Sequence, residues 1–203
     1  MKLLSHFISS VFQPLLMPIY SVALLFVYTT HFKFIYASQF LTFLIPTVLF
    51  TFLIPGVLIY IMLRIGMISD LTLLKRRDRF APYAVTMLCF AFLIYYFYSL
   101  GLPLWFLMML VAPIITMVLA SIITLWWKIS AHMFGVSSLI GGVMSISYFV
   151  EKSNPYILFI LLFVIAGLVG VSRLILRRHT PNQVYAGFLL GFIVSFTCVW
   201  IGS

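Results

Sequence analysis

Residues 103–125 read PLWFLMMLVAPIITMVLASIITL, an unbroken run with no ionisable side chain. At about 1.5 Å of rise per residue, a helix of this length can cross a hydrocarbon core of roughly 30 Å. Comparable apolar runs flank it at 11–30, 40–63, 82–100, 132–150, 155–172 and 182–201. The chain is therefore expected to be all-α, a polytopic transmembrane helical bundle with six or seven spans. Composition points the same way: 65% of residues are hydrophobic, 7% are charged, and mean hydropathy is +1.24. A water-soluble surface needs many more ionisable groups than this. Residues 1–203 then make a single integral membrane domain with no room for a soluble one. The first apolar run lacks a small-residue cleavage site and reads as a retained span, not a cleavable signal. Gly101 and Pro103 mark a tight turn after the third span, and Ser153, Asn154 and Pro155 mark the one before the sixth. Cys89 and Cys198 fall inside apolar runs, where a thiol acts as a small hydrophobe.

The net charge is +9, which in a soluble protein would suggest nucleic acid. Here the cations are confined to short loops facing headgroups or a ligand, so nucleic acid is not an expected partner; the lipid bilayer is. Alternating seven spans puts Lys2, Arg64, Lys75, Arg76, Arg77, Arg79, Lys128, Arg173, Arg177 and Arg178 at one end. Lys33 and Lys152 are left opposite. The positive-inside rule is one explanation of this bias and makes the charged end cytoplasmic. Burying a charge at the bilayer centre costs on the order of 3 kcal/mol on the insertion scale, so these groups belong at the interface or in a wet cavity.

Three polar patches lie at that end. The first, Lys75-Arg76-Arg77-Asp78-Arg79-Phe80-Ala81-Pro82, leads into the third span. If it is helical, Arg76 and Arg79 share a face and could grip one anion; the alternative is a headgroup anchor. The second is Lys128-Ile129-Ser130-Ala131-His132, with Ser130 as candidate N-cap of the fifth span. Helix N-termini present unpaired N–H groups to which a phosphate is suited. The third runs from Ser172-Arg173 through Arg177-Arg178-His179-Thr180-Pro181-Asn182-Gln183 into the last span. Thr180, Pro181 and Gln183 fit a capping box. His179 and Gln183, four apart, could also face one another, the amide oxygen holding one imidazole tautomer. Two crossings separate each patch from the next, so all three return to one end and could converge on one anion.

Ser172-Arg173, five residues, then His179, preceded by Ser130-Ala131-His132 and a basic run ending in Pro82, resembles the three-part signature of the type 2 phosphatidic acid phosphatase superfamily. These are membrane lipid phosphate phosphatases related to vanadium haloperoxidases, and the likeness covers roughly residues 75–187. It implies that His179 is a nucleophile passing through a phosphohistidine and that His132 is the acid for the leaving alkoxide. It also implies that Gln183 orients His179, and that Ser130, Arg173 and first-patch cations among Lys75, Arg76 and Arg79 bind the phosphate. No metal and no cofactor is implied. The chemistry suits these residue types, because phosphoryl transfer needs its equatorial oxygens stabilised and its attacking and leaving atoms in line. The pattern departs from the family's at Leu74 and Ala81, where lysine and arginine are expected, and at Ile129 and Ala131. Gln183 replaces an aspartate, and Gln183→Asp is expected to preserve or raise turnover.

The resemblance implies a phosphoric monoester hydrolase acting on a phosphomonoester or pyrophosphate of a membrane lipid: phosphatidic acid, phosphatidylglycerol phosphate or a polyprenyl phosphate. The location implied is the bacterial inner membrane, where many relatives work on the outer face. A non-catalytic lipid-phosphate binder or transporter on the same scaffold is the alternative. An intramembrane protease or acyltransferase using Ser137, Ser138 or Ser172 finds no nucleophile-elbow pattern and no placed acid. Gly187 and Gly191, with Gly141-Gly142, predict close packing of the last and fifth spans on neighbours. Pro113 predicts a kink in the fourth. Tyr95, Tyr96, Tyr98, Trp126 and Trp127 suit interfacial belts. Oligomeric state is not readable from these features.

Overall fold

A computed structural model describes residues 1–73 and 75–203; Leu74, where the resemblance expects a lysine, lies outside them. Among the described residues, seven helices are long and apolar enough to cross a membrane, which makes the chain an all-α, multi-pass membrane protein. The boundaries follow the apolar runs closely, except at the first span.

That span is two helices, α1 (Lys2–Val11) and α2 (Met17–Tyr28), joined through a 3-10 turn at Pro14–Leu16. Pro14 has no N–H to continue the ladder and holds Gln13 extended, with ψ at 148°. The sequence reading began the span at residue 11. It missed α1 because that helix is amphipathic rather than uniformly apolar, and it buries Ser5 and Ser9.

A short helix, α3 (Thr30–Ile35), follows at the opposite end of the bundle. The Glu151 carboxylate accepts from the Thr30 N–H at 2.9 Å, from its hydroxyl, and from the His31 N–H at 3.4 Å. A negative charge at a helix start is favoured by the unpaired N–H groups there. The second span joins α4 (Phe40–Val48) to α5 (Ile54–Arg64) through a π-turn at Leu49–Leu53. Prolines at 46 and 55 bracket that turn, and the wider turn absorbs the ladder bonds they cannot make.

The remaining spans are α6 (Phe80–Ser99), α7 (Leu104–Thr124), α8 (Ala131–Ser145, continuing into a π-turn at Ile146–Val150), α9 (Tyr156–Ile175) and α10 (Pro181–Gly202). Gly101 makes the α6–α7 turn at φ +71°, a conformation that only glycine takes without strain.

Interlocked aromatic rings close the end of the bundle away from the basic patches. Phe32, Phe43, Phe97 and Phe106 are all fully buried there, with ring centroids 5.1 to 5.8 Å apart. Between α8 and α10 the glycines act as expected from their spacing. A Cβ at Gly187 would lie 2.8 Å from the Ser130 carbonyl oxygen, and one at Gly191 or Gly141 would overlap the carbonyl oxygen of Phe134 or Phe192. The Ser138 hydroxyl donates across the same seam to the Gly191 carbonyl at 3.2 Å. The two helices that begin at the second and third patches are therefore held backbone to backbone.

Candidate functional site

The three patches meet at one end of the bundle around a cavity of about 580 Å³. Arg79, Lys128, His132, Arg173, Arg178 and His179 line its charged end, while Phe90, Met109, Leu110 and Pro113 line its apolar depth. Each polar residue arrives at a helix boundary. Arg79 precedes α6, Lys128 and His132 bracket the start of α8, Arg173 ends α9, and His179 stands just ahead of α10.

His179 Nδ1 lies 3.1 Å from Gln183 Oε1, and the same oxygen accepts from the Thr180 N–H at 3.2 Å. A backbone N–H can only donate, so the atom facing it must be the amide oxygen. The proton between Gln183 and the imidazole therefore sits on Nδ1, and Nε2 keeps its lone pair. The capping box and the orienting contact coexist in one side chain. Burial pushes the His179 pKa down to about 3, and Arg173, Arg79 and Lys128 push the same way against the Gln183 bond. The ring is neutral at pH 7.

Lys128 is lowered as well, first by burial and then by Arg79, Arg173 and Arg178, with Asp70 opposing. Each cation raises the energy of the next, so a multiply charged anion in the cavity would relieve all of them. Arg173 is 9% exposed and its Nε has no hydrogen-bond partner; the Ser130 hydroxyl, fully buried, has none either. A buried donor left unpaired costs about 1 to 3 kcal/mol, and Arg173, unlike Ser130, lines the cavity, where a ligand could pair its Nε. Ser130 occupies the N-cap position of α8 without bonding through its side chain, contrary to the capping role its place in the sequence suggests. Its N–H instead donates to the Gln183 carbonyl at 3.2 Å, tying the second patch to the third.

His132 is held differently. Its Nε2 is 3.1 Å from the Ser9 carbonyl oxygen, an atom that can only accept, so the Nε2 proton is committed to α1 and Nδ1 is the other exchangeable position.

The first patch divides. Arg79 is 4% exposed, and its Nε and Nη1 donate to the carbonyls of Leu73 at 3.2 Å and Ile129 at 2.8 Å. Arg76 is exposed and turns to the Leu125 and Trp126 carbonyls at 3.2 and 2.8 Å, where α7 runs out and its carbonyls lack helical partners. Lys75 is exposed too and does not line the cavity. Arg76 and Arg79 are thus not brought together: after the 3-10 turn at Arg77–Arg79, Arg76 turns to the end of α7 while Arg79 reaches Leu73 and Ile129. Gln183 and Ser130 stand behind the lining rather than in it.

Arg178 and the α1 residues His6 and Ser9 line the cavity as well. They are not in the three-part pattern. The signal for α1 was a polar stripe of Lys2, Ser5, His6, Ser9 and Gln13 at helical spacing. Ser137, Ser138 and Ser172 donate to carbonyls of Phe134, Gly191 and Leu168, and none bonds a histidine. Comparison with family models, with curated proteins and with solved structures finds no match to the chain.

Proposed function

We propose that the chain is a metal-independent lipid phosphate phosphatase of the type 2 phosphatidic acid phosphatase kind. The observation that carries this reading is the fixed tautomer of His179, whose unprotonated Nε2 belongs to a ring lining a cavity shared with Arg79, Lys128 and Arg173. His179 Nε2 attacks phosphorus, and the P–O bond to the lipid breaks as the P–N bond forms. The electron pair leaves on the alkoxide, which takes from Nδ1 of His132 the proton that a monoanionic substrate phosphate has passed to it. Water then cleaves the phosphohistidine, returning the nitrogen lone pair and releasing phosphate. Arg79, Lys128 and Arg173 hold the equatorial oxygens, the role that contributes most when donors are placed beforehand.

The apolar depth supports a lipid rather than a soluble ester. Met109 lies about four turns from the Thr124 end of α7, roughly 22 Å inside, which exceeds half of a 30 Å core. Phosphatidic acid, phosphatidylglycerol phosphate and polyprenyl phosphates all fit this description. We assign the chain to a bacterial inner membrane. Setting aside Arg79, Lys128, Arg173 and Arg178, the cations that line the cavity, leaves Lys2, Arg64, Lys75, Arg76, Arg77 and Arg177, six against two in favour of a cytoplasmic charged end. An impermeant label applied to intact cells carrying Lys128→Cys tests that orientation.

The deciding experiment is phosphate release from a panel of short-chain lipid phosphates in a chelator, with His179→Ala and His132→Ala as controls. Activity that survives the chelator and disappears in both variants supports the reading. The neutral Gln183 favours one other reading, a lipid-phosphate binder without turnover. Lipid binding with no release, unaffected by His179→Ala, would establish that reading instead.

A further inference from the structure

The N-terminal helix has a use that the three-part pattern does not give it. α1 ends at Val11, and Pro14 offers no N–H, so the carbonyls of Ser9, Ser10 and Val11 fall in a last turn with no helical donor after them. Two of the three find side chains. Val11 accepts from the Tyr20 hydroxyl at 2.8 Å, and Ser9 accepts from His132 Nε2–H at 3.1 Å.

The Ser9 hydroxyl is the second observation. A buried serine or threonine in a helix ordinarily donates to the carbonyl four residues back. Ser5 does so one turn earlier at 3.1 Å, and Ser21, Thr86, Ser147 and Ser172 do so at 2.7 to 3.0 Å. Ser9 does not. It is 7% exposed, it lines the cavity, and its Oγ has no partner. With the Ser130 hydroxyl and Arg173 Nε, it is one of three buried polar atoms at the charged end that are unpaired among the described residues, each contributed by a different part of the chain.

We propose that the N-terminal helix completes the phosphate site, Ser9 holding the His132 ring through its carbonyl and donating its hydroxyl to a phosphate oxygen. This rests on the phosphatase reading, which assigns the cavity to a phosphate monoester. Ser9 is then both a positioning residue for the acid and a ligand of the substrate. The two roles separate experimentally because one belongs to the backbone and the other to the side chain.

The test uses the full-length purified protein with orthovanadate as the phosphate probe and imidazole 15N spectra of His132. Ser9→Ala removes only the hydroxyl and is expected to weaken vanadate binding and raise KM about tenfold or more, as for a hydrogen bond to a charged group. Ser9→Thr should recover most of the loss. One alanine inserted between Ser10 and Val11, inside α1, turns Ser9 and the residues before it by about 100° against the anchored end of the helix. It is expected to release the Nε2 proton of His132 into a mixture of tautomers and to lower kcat, while the His179 spectrum stays unchanged and so reports an intact fold. Vanadate binding by Ser9→Ala equal to wild type, or a His132 spectrum indifferent to the insertion, overturns the proposal. If the wild type releases no phosphate, the phosphatase reading fails, and vanadate binding with the His132 spectrum still decides the role of Ser9.

Discussion

Replacing Gln183 with glutamate keeps the length of the side chain and sets a carboxylate oxygen where Oε1 now stands, 3.1 Å from His179 Nδ1 and 3.2 Å from Thr180 N. A unit charge about 4 Å from the imidazole contributes on the order of 4 kcal/mol at an effective dielectric of 20, and partial exposure of the ring reduces this to about 2. Because about 1.4 kcal/mol corresponds to one pH unit, the His179 pKa should move from about 3 to about 4.5. At pH 7 the ring stays neutral and more basic, so turnover is expected to hold or to rise by up to about tenfold. Gln183→Leu removes the acceptor. It should lose about 10²-fold or more in kcat as the ring samples the wrong tautomer, with about 1 kcal/mol of stability lost at the cap. Gln183→Asp, which the resemblance expects to preserve or raise turnover, is a methylene shorter and leaves its oxygen about 1.5 Å back, so the geometry revises that expectation to a turnover between the two. The assay is phosphate release from pH 4 to 8, paired with a 15N titration of His179. A folded Gln183→Leu with wild-type turnover, or a Gln183→Glu whose acid limb does not move upward, would refute the orienting role.

Other outcomes follow from the same geometry. Arg173→Met should abolish phosphate release yet leave the melting temperature unchanged or higher, since it removes a buried cation with an unpaired Nε; thermal scans with and without phosphate check this. Arg79→Ala should cost activity at least tenfold, whereas Arg76→Ala should stay within about threefold, because only Arg79 lines the cavity; parallel kcat/KM values separate them. Gly191→Ala should destabilise by about 1 to 3 kcal/mol or prevent folding, because its Cβ meets the Phe134 carbonyl oxygen; the yield of monodisperse protein reports it. His179 has a lower pKa folded than unfolded, so the unfolded chain binds the proton first as pH falls. Its stabilising contribution is complete above about pH 6.5 and should be lost progressively down to about 3. Melting temperatures in that range should fall for wild type and fall less for His179→Gln.

The spans were readable because lipid imposes one rule on every crossing: about twenty apolar residues with internally paired backbone. The glycine seam was readable for a similar reason, since close approach of two helices admits only small residues. α1 was not, because an amphipathic helix that turns Ser5 and Ser9 inward reverses the usual hydropathy pattern. At the site, the pairing of His179 with Gln183 followed from spacing within one helix turn. The separation of Arg76 from Arg79 did not, because spacing says where Cα atoms lie and not which carbonyls compete for a guanidinium. The Ser9 contact to His132 joins positions 123 apart and depends on where a proline ends a helix against the bundle. No local pattern encodes that.

The glycine seam between α8 and α10 also bears on how a substrate gets in. Its backbone contacts make the two helices behave as one beam, and the two histidines stand at that beam's end. A gate that parted them would have to break carbonyl-level packing, so admission falls to the facing wall. There the second span is the least buried of the seven, whereas the fifth is the most buried. A lipid arriving from the side would meet a loosely packed wall and a rigid beam, and its tail could enter from the bilayer without disturbing the spacing of the histidines.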